Sequence, residues 1–87
     1  MTVKKMTIEA ENGLHARPAG DLVKLVKSFP GTAVTIATEA RKVNASSILS
    51  ILSLGLKKGT EIEIAAEGPD EEKAVEEIAG FLGGLEL

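Results

Sequence analysis

The 87-residue chain has no cysteine, no tryptophan and no tyrosine, only two phenylalanines, and a single histidine. Without cysteine there is no disulfide, no thiolate nucleophile and no cysteine-ligated metal. One histidine with no cluster of acidic residues around it argues against a transition-metal centre, so neither a metal nor a cofactor is expected. The shortage of aromatics removes the platforms on which single-stranded bases stack, and it makes the core aliphatic. Net charge is −3, with no basic block beyond Lys4-Lys5 and Lys57-Lys58. That balance excludes a nucleic-acid partner. No run approaches membrane-spanning length, and the first residues lack the continuous apolar stretch of a signal peptide. No membrane insertion and a cytoplasmic location are therefore expected.

What is present is the composition of a folded chain, 44% hydrophobic and 26% charged. Its length suits one modest core, so residues 1–87 are read as a single domain. Thr2 to Ala10 reads as a strand, because Met6, Ile8 and Ala10 alternate with Thr7 and Glu9. After Glu11-Asn12-Gly13, a helix is predicted from about Ala16 to Phe29, with Leu22, Val23, Val26 and Phe29 as its buried stripe and Pro30-Gly31 as its stop. Ala33 to Thr38 is a second strand, turning near Glu39 and Ala40 into a short third around Arg41 to Val43, with no Asn-Gly or Asp-Gly pair to mark the turn. Ser46 or Ser47 caps a short helix over Ile48 to Leu54, and Gly55 ends it. Glu61 to Glu67 alternates again. Gly68-Pro69-Asp70 opens a last helix that buries Val75, Ile78, Ala79, Leu82 and Leu85 and carries Asp70, Glu71 and Glu72 in its first turn as a solvated acidic face. The order is βαββαβα, an α+β class in which helices cover one face of a sheet. The first βαβ crossover leaves its two strands parallel, with room for one between them.

One stretch carries chemistry: Gly13-Leu14-His15-Ala16-Arg17-Pro18-Ala19. A proline is tolerated inside a helix only in its first turn, so Pro18 fixes the helix start close to His15, against the tendency of the residue before a proline, Arg17, to avoid helical dihedrals. A helix start offers unpaired N–H groups and partial positive charge to an anion. With His15 as N-cap, those donors are its own N–H and the N–H groups of Ala16 and Arg17. Imidazole is a nucleophile near neutral pH. These parts suit a histidine that accepts and gives away a phosphoryl group, its oxygens received by the amides and by the Arg17 guanidinium. A surface cap histidine that does no chemistry is the competing reading of the same position.

The second helix has its own peculiarity. At about 100° per residue, Ile48, Leu49, Ile51, Leu52 and Leu54 spread over roughly 220° of its circumference, wider than one core-facing stripe. Leu49 and Leu52 are the pair expected to be exposed as a docking patch, against the alternative of a completely buried helix.

Both segments resemble one family. Residues 13–19 look like the active-site signature of the HPr phosphocarriers of the bacterial phosphoenolpyruvate:sugar phosphotransferase system. Val43-Asn44-Ala45-Ser46-Ser47-Ile48-Leu49-Ser50-Ile51-Leu52-Ser53-Leu54-Gly55 resembles that family's serine-site helix. The resemblance covers essentially the whole chain and implies an open-faced sandwich, a four-stranded antiparallel sheet in order 1-4-2-3 with three helices on one face. It implies that His15 takes a phosphoryl group on Nδ1 from Enzyme I and hands it to a IIA domain of a sugar permease. Arg17 and the Ala16 and Arg17 amides balance the phosphoryl charge, and Ala16, Ile48, Leu49 and Leu52 meet the partners. It also implies a regulatory serine, Ser47 or the adjacent Ser46, with a serine kinase/phosphorylase and a transcriptional regulator as further partners. Ser47 is favoured from its place before Ile48-Leu49, with one extra residue near Pro30-Gly31-Thr32 relative to common family members. Gly20, inside the first helix, and Asp21 depart from the family pattern. No carboxylate pair, nucleophile–base pair or Gly-rich phosphate loop suggests a turnover enzyme. A nitrogen-branch relative, or a binding protein read through Ser47, are the alternative functions.

Overall fold

The computed structural model describes residues 1–9 and 16–84, and at Ala16 and Arg17 the backbone alone. The elements are β1 (Thr2–Thr7), α1 (Ala16–Lys27), β2 (Ala33–Ala37), β3 (Lys42–Asn44), α2 (Ile48–Ser53), β4 (Glu61–Glu67) and α3 (Glu71–Gly83). The strands form one sheet in the order β1-β4-β2-β3, every neighbouring pair antiparallel. β1 and β2 thus run parallel with β4 between them, the gap the crossover left open. Element order and sheet order are those expected.

Alternation in the strands decides which face the helices cover. Ile62, Ile64 and Ala66 of β4 are buried, as are Val34 and Ile36 of β2. The register aligns them across the sheet: Met6 opposite Ile62, Ile64 opposite Ile36, and Ala66 opposite Val34. Against this face pack Leu22, Val23 and Val26 of α1 with Phe29 just beyond it, Ile51 of α2, and Val75, Ile78, Ala79 and Leu82 of α3. Every stripe residue predicted for α1 is buried, and so is every one predicted for α3 except Leu85, which lies outside the described residues.

Element ends move by small amounts for local reasons. β1 stops at Thr7 rather than Ala10, but pairing continues past it: the Ile8 amide donates to the Thr60 carbonyl and the Gly59 amide to the Ile8 carbonyl, each at 2.8 Å. Ala10 and the Glu11-Asn12-Gly13 turn lie outside the described residues. α1 ends at Lys27 rather than Phe29, because the amides of Ser28 and Phe29 reach back three residues to Leu25 and Val26 and tighten the last turn. The turn before β3 uses Thr38 in place of an Asn-Gly pair. The Thr38 amide donates to the Arg41 carbonyl at 2.7 Å, and the Thr38 hydroxyl accepts from the Ala40 and Arg41 amides. That shifts β3 one residue on, to Lys42–Asn44.

The acidic start of α3 is not simply a solvated face. Glu71 accepts from the Thr2 hydroxyl at 2.7 Å and the Gly68 amide at 3.2 Å, and it pairs with the terminal ammonium of Met1 at 3.0 Å. The Thr2 bond first, then the ammonium and the Gly68 amide, pull its carboxyl down to about 2. The same contact raises the ammonium above its usual value. Beside it, Thr32, the one buried polar residue among those described, accepts from the Asp70 amide at 3.2 Å.

Candidate functional site

α1 begins at Ala16 and contains Arg17 and Pro18 in its first turn. The helix start is therefore where Pro18 requires it, and Arg17 is helical although it stands before a proline. The N–H groups of Ala16 and Arg17 fall among those an α-helix leaves unpaired, and Pro18 has none. His15 directly precedes this turn in the chain and lies outside the described residues, as does the side chain of Arg17.

α2 sits beside this helix. A Cβ built on Gly20 would lie 4.0 Å from the Ile48 Cδ1 atom, so the second turn of α1 faces the first turn of α2. Ser47 is the N-cap: its backbone is extended (φ −122°, ψ 121°) and its hydroxyl accepts from the Ser50 amide at 3.3 Å. Ser46 is engaged elsewhere, its amide and hydroxyl both donating to the Asn44 side chain. Of the two serines, only Ser47 caps the helix. Leu54 is the C-cap and Gly55 follows with φ +64°, the left-handed stop its position predicted.

The exposed pair on α2 is not the expected one. Leu49 is 81% exposed, but its companion is Ile48, 41% exposed. Leu52 is partly buried and packs against the core. The reason lies in which residue anchors the helix. Ile51 is buried, so directions are counted from it; Leu49 then points about 160° away, and Leu52 about 100°, onto the flank. Ile48 is only about 60° from Ile51, but it sits at the helix start opposite Gly20, which has no side chain to cover it. The patch is therefore Ile48 with Leu49, beside the second turn of α1, with Leu52 at its margin.

One contact at this site has no signal in the local sequence. The Arg41 guanidinium, from the turn before β3, donates through Nη1 to the Ser53 carbonyl at 2.9 Å. It joins the last turn of α2 to a loop twelve residues earlier. The absence of any basic residue in that last turn is the only hint that a cation would come from elsewhere.

A solvent-open hollow of about 490 Å³ near Lys5, Glu39, Glu61 and Glu63 contains none of the residues singled out for chemistry. Among the described residues no helix is long and apolar enough to cross a membrane, and no group of three or more His, Asp or Glu could hold a metal ion.

Comparison with known proteins places this arrangement. The PTS-HPr family model, the PTS HPr component phosphorylation site, matches residues 2–83. The chain is 40% identical to the phosphocarrier protein HPr of Vibrio cholerae, over 98% of this chain and 99% of that one. It superposes on the crystal structure of HPr-C-His from Thermoanaerobacter tengcongensis with a TM-score of 0.91 at 34% identity, covering 99% of this chain and 96% of the other. It also resembles the solution structure of Crh, the Bacillus subtilis catabolite repression HPr, with a TM-score of 0.70 at 34% identity, covering 95% and 98%.

Proposed function

The chain belongs to the HPr family of phosphocarriers of the phosphotransferase system, and from that premise we propose that it relays a phosphoryl group through His15, from phospho-Enzyme I to the IIA domains of sugar permeases in the cytoplasm. Residues 1–87 act as one carrier domain. In the first step the N–P bond on the Enzyme I histidine breaks as one forms to His15 Nδ1. In the second, the His15 N–P bond breaks as the acceptor histidine bonds phosphorus. No net proton or electron change is required in either transfer.

The observation that carries this reading is the start of α1 at Ala16, with Pro18 in the first turn. It makes the Ala16 and Arg17 amides donors without helical partners, next in the chain to His15. Arg17 supplies the cation for the phosphoryl oxygens. With Pro18 contributing no amide, the phosphoryl group is held by few donors. A relay needs that, since tight binding of the phosphorylated state would raise the barrier to handing it on. The Ile48–Leu49 patch beside this helix, together with Ala16 and Leu52, is the surface on which donor and acceptor dock in turn. One small apolar patch suits short-lived contacts with several partners.

Ser47 is the regulatory position. A phosphate there would place about two negative charges at the edge of the docking patch and replace the capping hydroxyl. A serine kinase/phosphorylase would write this mark, and a transcriptional regulator would read it. The likeness to a protein named for catabolite repression supports a second reading, in which signalling through Ser47 is the main output.

The deciding experiment is incubation with phosphoenolpyruvate, magnesium and catalytic Enzyme I, followed by intact mass measured without acid. A gain of one phosphate, acid-labile and absent in His15→Ala, establishes the carrier. No gain with a demonstrably active cognate Enzyme I refutes it and leaves the Ser47 reading.

A further inference from the structure

α2 has six residues, and a helix of that length does not persist on its own. Of its last four carbonyls, that of Ser50 accepts from the Ser53 hydroxyl, that of Ile51 from the Leu54 amide and that of Leu52 from the Gly55 amide. This leaves the Ser53 carbonyl to be satisfied, and the last turn carries no cation to offset the negative end of the dipole. Both needs are met from outside by Arg41, whose Nη1 donates to the Ser53 carbonyl at 2.9 Å. The base of that side chain is itself fixed. The Arg41 carbonyl accepts from the Thr38 amide at 2.7 Å and its amide donates to the Thr38 hydroxyl at 3.3 Å. Arg41 is therefore a strap held at both ends, one in the turn between β2 and β3 and the other on α2.

We propose that Arg41 is a positioning residue for phosphoryl transfer: it holds the last turn of α2, and so keeps Ile48 and Leu49 in the geometry that meets the phosphoryl donor. The inference rests on the carrier reading above. The link from one end of α2 to the other is its shortness. Unwinding the last turn leaves less than one turn of helix, and the Ser47 cap on the Ser50 amide then has little structure to stabilise. Arg41 touches no reacting atom in this account and acts only through the helix.

The test compares Arg41→Ala and Arg41→Lys with the parent protein in two readouts. The first is exchange of the Leu54 and Gly55 amides, which bond to the Ile51 and Leu52 carbonyls in the last turn. In Arg41→Ala it should quicken about two- to fivefold, the range of a cation at a helix C-terminus. The second is Enzyme I-dependent phosphorylation, where KM for the carrier should rise by no more than that factor while kcat is unchanged. Arg41→Lys should recover part of both. A raised KM with unchanged exchange means that Arg41 contacts the donor itself, and overturns the positioning role. Quickened exchange with unchanged KM reduces the strap to a structural cap, and also overturns it. A parent protein that takes up no phosphoryl group refutes the carrier reading and this role with it, while the exchange readout still reports whether the strap holds α2.

Discussion

Gly20→Ala should make this protein more stable. Gly20 lies in the interior of α1, where glycine costs about 1 kcal/mol relative to alanine through the backbone freedom it loses on folding. Whether that gain is realised depends on what the new methyl meets. Its nearest neighbour outside the helix would be Ile48 Cδ1 at 4.0 Å, an ordinary van der Waals distance, so nothing has to move. The methyl would also cover part of the exposed Ile48 side chain. We expect a gain of about 1 kcal/mol, which for a domain of this size raises Tm by roughly 4–8 °C. Gly80→Ala is the matched control: it too is helical, in α3, but a methyl there meets nothing within 4 Å. It should therefore show the propensity gain alone. With no tryptophan or tyrosine to report unfolding by fluorescence, melts are best followed by the helical band in far-ultraviolet circular dichroism. A stabilised Gly80→Ala beside a destabilised Gly20→Ala would refute the reasoning, since it would mean that α1 and α2 approach more closely than described. Repeating Gly20→Ala in an Ile48→Ala background isolates the contact, because only the part due to Ile48 should vanish.

Gly68→Ala should be the opposite case. Gly68 has φ +151°, and a Cβ there would come within 2.6 Å of the Gly31 carbonyl oxygen and the Thr32 Cα; denaturant melts should show a loss of about 2–4 kcal/mol. The Glu71 carboxyl is held at about 2 rather than its ordinary 4.5, so its contribution is complete above the higher value and disappears as pH falls toward the lower. Glu71→Gln should accordingly flatten the stability curve over that acid window, and an unchanged curve would show that the Thr2 and ammonium contacts do not persist in solution. Ser47→Ala should cost about 1 kcal/mol of stability through the lost cap. Ser47→Asp keeps a capping oxygen and should melt near the parent temperature, yet slow transfer from Enzyme I; equal transfer by the two variants would remove the charge argument. Leu49→Asp should leave Tm within a degree or two, its side chain being 81% exposed, while raising KM for the phosphoryl donor.

Much of this was legible because the strands and helices are strictly amphipathic. Ile62, Ile64 and Ala66 announced β4 and its buried face, and Leu22, Val23, Val26 and Phe29 announced α1. Pro18 placed the start of α1, and Ser47 with Gly55 bracketed α2. The order of strands came from resemblance to a family, since alternation says which side of a strand is buried but not which strand lies beside it. The features that escaped are contacts between residues far apart in the chain. Glu71 looked like part of a solvated acidic run because its partner, Thr2, belongs to the first strand. Leu52 looked exposed because the helical wheel does not reveal which residue faces the core. His15 and the Arg17 side chain fall outside the described residues, so for the site itself the legible part is the frame around it: where α1 begins, which serine caps α2, and that the two helices meet at Gly20 and Ile48.

The place of β4 in the sheet also governs when the protein can come into being. β1, the strand that leads toward His15, has β4 as its partner, and β4 is the last strand to leave the ribosome. Until residues 61–67 are synthesised, β1 has no neighbour to pair with and β2 lacks the strand on its other side. The helices made earlier then have only half a surface to lie on. A nascent chain halted before β4 would carry α1 and α2 without the strand that lies between β1 and β2. Folding should therefore be a late, all-or-none event dominated by distant pairings and slow for so small a protein.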